Sequence, residues 1–411
     1  MQAPVILPEK NKDLIDLEEK YNAHNYHSLP VVLSKGKGVF LWDVEGKKYY
    51  DFLSAFSAVN QGHCHSRIVN TLVEQAQKLT LTSRAFHSEA LVEYVEFITS
   101  YFGYDKILPM NTGVEAVETA LKLCRKWAYE VKGIANDKAK IITCENNFHG
   151  RTIGVISFST EESSKNNFGP YLPGFEIVPF NDLEALQNAL NDKNVAGFLV
   201  EPIQGEAGVN VPDDGYLSAA KKYCEEANVL FIADEIQTGL CRTGKMLCCD
   251  HENVRADILI LGKALSGGTF PISAVLADDQ IMLTIKPGEH GSTYGGNPLA
   301  CKVAITSLQV LQEEKMAENS LVLGDIFRNK IKEIRSKHIS EIRGKGLMNA
   351  IEIKHQDNNA ASTLCMELMR NGLLAKPTHE DKIRLTPPLV ITNEQLMECI
   401  EIIKKSLEIL D

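Results

Sequence analysis

The chain has 411 residues, more than a single hydrophobic core usually holds, so two domains are expected, with a terminal arm besides. Hydrophobic residues at 44% and charged residues at 24% match an ordinary globular composition, and a formal net charge of −11 argues against a nucleic-acid binder, which concentrates Lys and Arg. The 10 cysteines are scattered without a CxxC pair, so reduced thiols are expected and no metal site. No apolar run approaches the ~20 residues of a membrane span. The first residues carry acidic side chains, no apolar signal core and no Arg/Ser-rich transit pattern, which predicts a cytoplasmic protein.

In chain order, Asp13 to Tyr26 reads as a short helix leading into an extended arm, and Pro30 marks the change. From Gly36, alternating apolar residues around a Glu45-Gly46-Lys47 turn predict a hairpin of small antiparallel strands. Helices follow His65 and run from Glu89 to Tyr101. Thr112 and Glu115 have the capping-box spacing, and behind them Val117, Leu121, Cys124, Ala128 and Val131 recur at helical intervals. Gly113 would let an anion approach the free amides of that first turn. On these residues alone, a phosphate cradle and a well-capped surface helix are both open readings.

Two strand-like runs, 141–145 and 152–159, flank a loop with Phe148, His149, Gly150 and Arg151, which suits ring stacking and carboxylate binding. No partner for His149 is visible, and it is assigned no ligand role. Buried-strand runs follow at 196–200, ending at Glu201, and at 229–233, ending at Asp234. Another, 258–261, leads through Gly262 to Lys263. Helices between these runs predict a mostly parallel sheet. Catalytic groups collect at the carboxyl ends of such strands, so Asp234 and Lys263 would face one crevice. A cofactor that needs an amine for an imine and a carboxylate for its ring nitrogen is pyridoxal phosphate. Past a strand at 272–276 and a glycine-rich loop at 290–300, the chain turns helical. It closes in an α+β region whose last helix has a second capping box, Thr392 and Gln395.

The motifs NTGVEA, VEPIQGEAGV, FIADEIQTGL, LGKALSGG and GSTYGGNP stand in one order along nearly the whole chain. With them the chain resembles the class III pyridoxal-phosphate aminotransferases of fold type I, and most of all those acting on the δ-amino group of ornithine. The resemblance implies an α/β fold: a large cofactor domain with a mostly parallel sheet, 46–300, and a smaller α+β C-terminal domain, 301–411, with an arm, 1–45. It also implies roles. Lys263 would form the imine with the cofactor and Asp234 would hold its ring nitrogen. Gly113 and Val114 would bind the phosphate, Phe148 would stack on the ring, and Gln237 would bond near its 3-oxygen. Ser292 and Thr293 would reach the phosphate of the neighbouring subunit in a homodimer. Arg151 and Tyr26 would hold the α-carboxylate and α-amine of L-ornithine. Arg384 would take the extra carboxylate of 2-oxoglutarate, with Glu206 neutralising it while ornithine is bound. Phe56 departs from the family's usual tyrosine, so a substrate-orienting hydroxyl is lost. N-acetylornithine, 4-aminobutyrate or lysine as donor is the alternative. A silent scaffold relative would lack Lys263 or Asp234, and both are present.

Overall fold

The computed structural model describes residues 9–411, so the first eight residues of the expected arm lie outside the described residues. The largest of its three sheets has seven strands, in the spatial order 106–110, 273–277, 258–261, 230–234, 195–200, 140–144 and 175–178. From 258–261 to 175–178 every neighbouring pair is parallel, whereas 273–277 runs antiparallel to both its neighbours. Strands Val195–Val200, Leu230–Asp234 and Ile258–Leu261 are buried at every position. That is the condition of parallel strands covered on both faces, and it explains their unbroken apolar runs. The fold is therefore the expected α/β architecture.

Helix Gly113–Trp127 starts where the sequence places it. Thr112 Oγ1 accepts the Glu115 N–H at 3.4 Å, and Glu115 Oε2 accepts the Thr112 N–H at 2.9 Å. Its buried Ala116, Val117, Ala120 and Leu123 face the sheet. Beyond Trp127 the helix widens into a π-turn, 128–132, which slips the phase, so Val131 is exposed instead of continuing the apolar stripe. The expected strand at 152–159 is not one: Ile153–Ile156 is a short helix. A Cβ on Gly154 would stand 2.3 Å from Glu118 Oε1, so this segment is pressed against the preceding helix. Its buried residues, Gly154, Val155 and Ile156, are consecutive and do not alternate.

The second sheet is antiparallel, in the order 339–345, 348–353, 382–385 and 376–378. The third contains the predicted hairpin, 40–43 and 48–51, extended by a further antiparallel strand, 33–37, and joined in parallel by Leu373–Leu374. Helices Pro298–Glu313, Met316–Glu333, Ala360–Arg370 and Asn393–Leu407 supply the C-terminal helical layer. Among the described residues no helix is long and apolar enough to cross a membrane.

Candidate active site

Two adjacent parallel strands deliver the central pair. Strand Leu230–Asp234 ends at Asp234, whose Cα is in register with Ile260; the neighbouring strand ends at Leu261, and Lys263 follows two residues later, after Gly262. Lys263 has φ +44°, in the left-handed region, where a non-glycine residue is strained; such strain collects at functional sites. Both residues line a cavity of about 270 Å³ with Gly113, Val114, Phe148, His149, Arg151, Glu201, Ile236, Gln237 and Thr238. A second cavity of about 220 Å³ shares Phe148 to Arg151 and opens toward Glu206, Thr378 and His379.

Below Lys263 lies a buried polar group. His149 Nδ1 and Asp234 Oδ2 are 2.6 Å apart, and Glu201 accepts the Phe148 N–H at 2.8 Å. Burial pushes the Glu201 carboxyl up to about 7, with nearby Asp234 adding to the rise against the counterpull of His149. Burial disfavours a charged His149, but the hydrogen bond and charge of Asp234 outweigh it and raise the imidazole above its ordinary value. The Lys263 amine is held below the ordinary lysine range: desolvation outweighs the attraction of Glu206, Asp234 and Glu201, and Arg384 adds repulsion. A lowered amine is a better nucleophile and proton acceptor near neutral pH.

On the outer side Arg384 Nη1 donates to Glu206 Oε1 at 2.7 Å, and Gln237 Nε2 donates to the same oxygen at 3.1 Å. Burial acts to raise the Glu206 carboxyl, but Arg384 overcomes it and holds the group below the usual glutamate value. The Arg384 guanidinium carbon lies 4.8 Å from the centroid of the Phe56 ring, and that of Arg151 lies 5.6 Å from the Phe148 ring. Lys263, Asp234, Gly113, Val114, Phe148, Gln237 and Arg151 thus meet at one cleft, and Glu206, Arg384 and Phe56 form its neighbouring wall.

Three of the predicted residues stand elsewhere within the chain. Tyr26 is exposed, its ring 5.9 Å from Lys376 Nζ. Ser292 Oγ accepts from Asn111 Nδ2 at 2.6 Å, next to the helix start but not in the cavity wall. Thr293 lines a separate crevice with Arg84 and Phe86. Sequence reasoning assigned His149 no role, which its pairing with Asp234 corrects, and passed over Glu201 and Ile236. The signal for Glu201 was present, a carboxylate closing a buried strand like Asp234, whereas nothing local pairs His149 with a residue 85 positions away.

The residues of the cleft can be matched to the parts of pyridoxal phosphate. The cleft offers a lowered amine, a buried carboxylate steadied by an imidazole, and the open amides of a helix start. A Cβ on Gly113 would stand 3.2 Å from Ile236 Cδ1 and one on Gly262 3.3 Å from Ile236 Cγ1, so these glycines keep room beside an apolar wall opposite the charged groups. These residues fit the cofactor.

Residues 21–407 match the family model of the class III aminotransferases, and the chain belongs to that family, whose members depend on pyridoxal phosphate. Within it, the chain is 58% identical to the rat protein named mitochondrial ornithine aminotransferase, over 97% of this chain and 91% of that one. The ornithine aminotransferase structure from Toxoplasma gondii, described as partly occupied by pyridoxal phosphate, superposes with a TM-score of 0.96 at 50% identity, covering 97% of this chain and 94% of that one. The acetylornithine aminotransferase structure from Elizabethkingia anophelis gives a TM-score of 0.89 at 57% identity, with coverages of 97% and 99%. The rat name overturns the expectation of a cytoplasmic protein: the composition of the first residues, from which it was drawn, does not fix the compartment.

Proposed function

We propose that the chain transfers the δ-amino group of L-ornithine to 2-oxoglutarate, giving glutamate and glutamate-5-semialdehyde, which cyclises to 1-pyrroline-5-carboxylate. The observation that carries the reading is the Glu206–Arg384 pair, 2.7 Å apart, on the wall beside Lys263. Bound pyridoxal phosphate would supply an electron sink for the carbon that loses its proton. Lys263 would hold it covalently; its Nζ, freed when the substrate's amine takes its place, would then accept that proton and return it to the other carbon. Asp234, paired with His149 at 2.6 Å, would face the ring nitrogen. Gly113 and Val114 amides would take the phosphate, Phe148 and Ile236 would enclose the ring, and Gln237 would reach its 3-oxygen.

Ornithine presents its terminal amine, so its α-carboxylate lies outward toward Arg151, with Tyr26 assigned to its α-amine. While Glu206 masks Arg384, that end of the pocket carries little net positive charge and accepts a cationic donor. When 2-oxoglutarate enters, Glu206 releases Arg384 to its second carboxylate. One pocket thereby serves a diamine and a dianion in turn.

The active unit in this reading is a homodimer, because Ser292 and Thr293 lie outside their own chain's cleft and the nearby Phe86 and Tyr294 side chains are exposed. The division into 1–45, 46–300 and 301–411 is likewise our reading; the seven-stranded sheet falls wholly within 106–277. A second donor, N-acetylornithine, is favoured by the 57% identity to the acetylornithine enzyme and by the missing hydroxyl at Phe56. Side-by-side kcat/KM values for L-ornithine, N-acetylornithine, 4-aminobutyrate and lysine test the choice. Ornithine is expected to lead by at least tenfold; a lead for any other donor moves the substrate and leaves the chemistry.

A further inference from the structure

Arg242 is wholly buried, and among the described residues no carboxylate forms an ion pair with it, although the charge of Asp51 is near enough to attract it. Its guanidinium spans three segments that are distant in sequence. Nη1 donates to the carbonyls of Leu347 at 3.1 Å and Pro387 at 2.7 Å, and Nη2 donates to Asn60 Oδ1 at 2.6 Å, while Nε is left without an acceptor. Asn60 completes the knot by donating Nδ2 to the Leu240 carbonyl at 2.8 Å and accepting the Leu389 N–H at 2.8 Å. Burying an unpaired charge is costly, so a residue kept in this state does something its neutral replacements would not. The rigid planar fork of the guanidinium, with five donors, suits it to bridge three carbonyl oxygens set apart from one another.

What the knot holds lies beside the cleft. Pro387 follows Arg384 by three residues, and Asn60 ends a turn in which Ser54, Ala55, Phe56 and Ser57 have φ of +50°, +45°, +59° and +73°. Four successive non-glycine residues in the left-handed region persist only where surroundings over-determine them. Here Asp51 Oδ1 accepts the N–H groups of Leu53 and Ser54, Ser54 Oγ donates to the Thr386 carbonyl at 2.6 Å, and Thr386 N–H donates to the Phe52 carbonyl at 2.8 Å. The result is the Phe56 ring laid 4.8 Å from the Arg384 guanidinium.

We propose that Arg242 is a positioning residue that fixes Arg384 and Phe56 relative to each other and so sets the affinity of the site for its dicarboxylate substrate. The inference rests on the reading above that Arg384 takes the second carboxylate. It is tested on the cofactor-loaded enzyme with Arg242→Lys, which keeps charge but loses the fork, and with the milder Asn60→Ala, which carries the test if the first variant does not fold. Binding of glutarate, an unreactive dicarboxylate, is measured by calorimetry beside the saturation of the half-reaction with L-ornithine alone.

Both variants are expected to bind glutarate at least tenfold more weakly, with the ornithine concentration for half-saturation changed by less than threefold. Added to Arg384→Gln, either should weaken glutarate little further, because the two act through one group. Unchanged glutarate affinity in folded Asn60→Ala overturns the proposal, as does an equal loss toward both substrates, the mark of general damage. If Arg384→Gln itself leaves glutarate binding intact, the fault lies in the reading of Arg384. If Arg384→Gln weakens glutarate and the Arg242 and Asn60 variants do not, only this inference fails.

Discussion

His149 and Asp234, from a loop and a strand end, meet at 2.6 Å beneath the cleft, both shut off from solvent. The contact makes the imidazole the orienting partner of the carboxylate proposed to face the cofactor ring. Removing it leaves a buried acceptor unpaired, at a cost of about 1–3 kcal/mol. His149→Phe should therefore lower kcat/KM by roughly tenfold to a hundredfold. His149→Asn, which restores a donor, should recover part of the loss. Steady-state kinetics of the two variants check this, and equal activity in all three proteins would remove His149 from the account.

In the proposed reading, Glu206→Ala unmasks Arg384 and removes the counter-charge that admits a cationic donor. Specificity, read as kcat/KM for ornithine over kcat/KM for glutamate, should fall at least tenfold. A pair separated by 2.7 Å, with Arg384 buried and Glu206 partly so, is strong enough to matter on that scale. A static structural bridge predicts instead a loss of stability with the ratio unchanged.

Gly113→Ala separates fold from site. Residue 113 opens a helix, where alanine is tolerated and gains up to about 1 kcal/mol over glycine. The new Cβ would nevertheless press on Ile236 Cδ1 from 3.2 Å and crowd the end of the cleft assigned to the phosphate. The expected outcome is an unchanged or raised melting temperature together with at least tenfold weaker retention of pyridoxal phosphate, measured by dialysis and absorbance.

Glu235 is buried where Thr238 Oγ1 and the Cys249 N–H donate to it, and burial raises its carboxyl from 4.5 to about 7. The folded chain binds this proton more tightly than the unfolded one. Stability from this group is thus full below pH 4.5 and is lost as pH rises through 7, by ~3 kcal/mol at most. Glu235→Gln keeps an acceptor without the charge. Its melting temperature relative to the parent should rise between pH 5.5 and 8.5; a flat difference across that window contradicts the assignment.

Much of this was legible because the signals were local. The capping boxes at Thr112 and Thr392 and the unbroken apolar runs at 230–234 and 258–261 depend on neighbours within a few positions, and they place Asp234 and Lys263 at adjoining strand ends. What escaped depends on contacts across the chain. The helix at Ile153–Ile156 answers to Glu118, the strand at Leu373–Leu374 to the hairpin strand at 48–51, and His149 to Asp234. Arg242 reads as one more charge in a polar stretch; only its burial between Asn60, Leu347 and Pro387 reveals it.

The central claim is that Lys263 carries pyridoxal phosphate and that ornithine reacts there. The most direct test is an absorption spectrum of the reconstituted protein and of Lys263→Ala, each before and after L-ornithine without any oxo acid. The parent should show a visible band that ornithine removes, with 1-pyrroline-5-carboxylate trapped by o-aminobenzaldehyde, and the variant should show neither band nor product. A parent spectrum that ornithine leaves unchanged, or a variant that still yields the trapped product, would contradict the account.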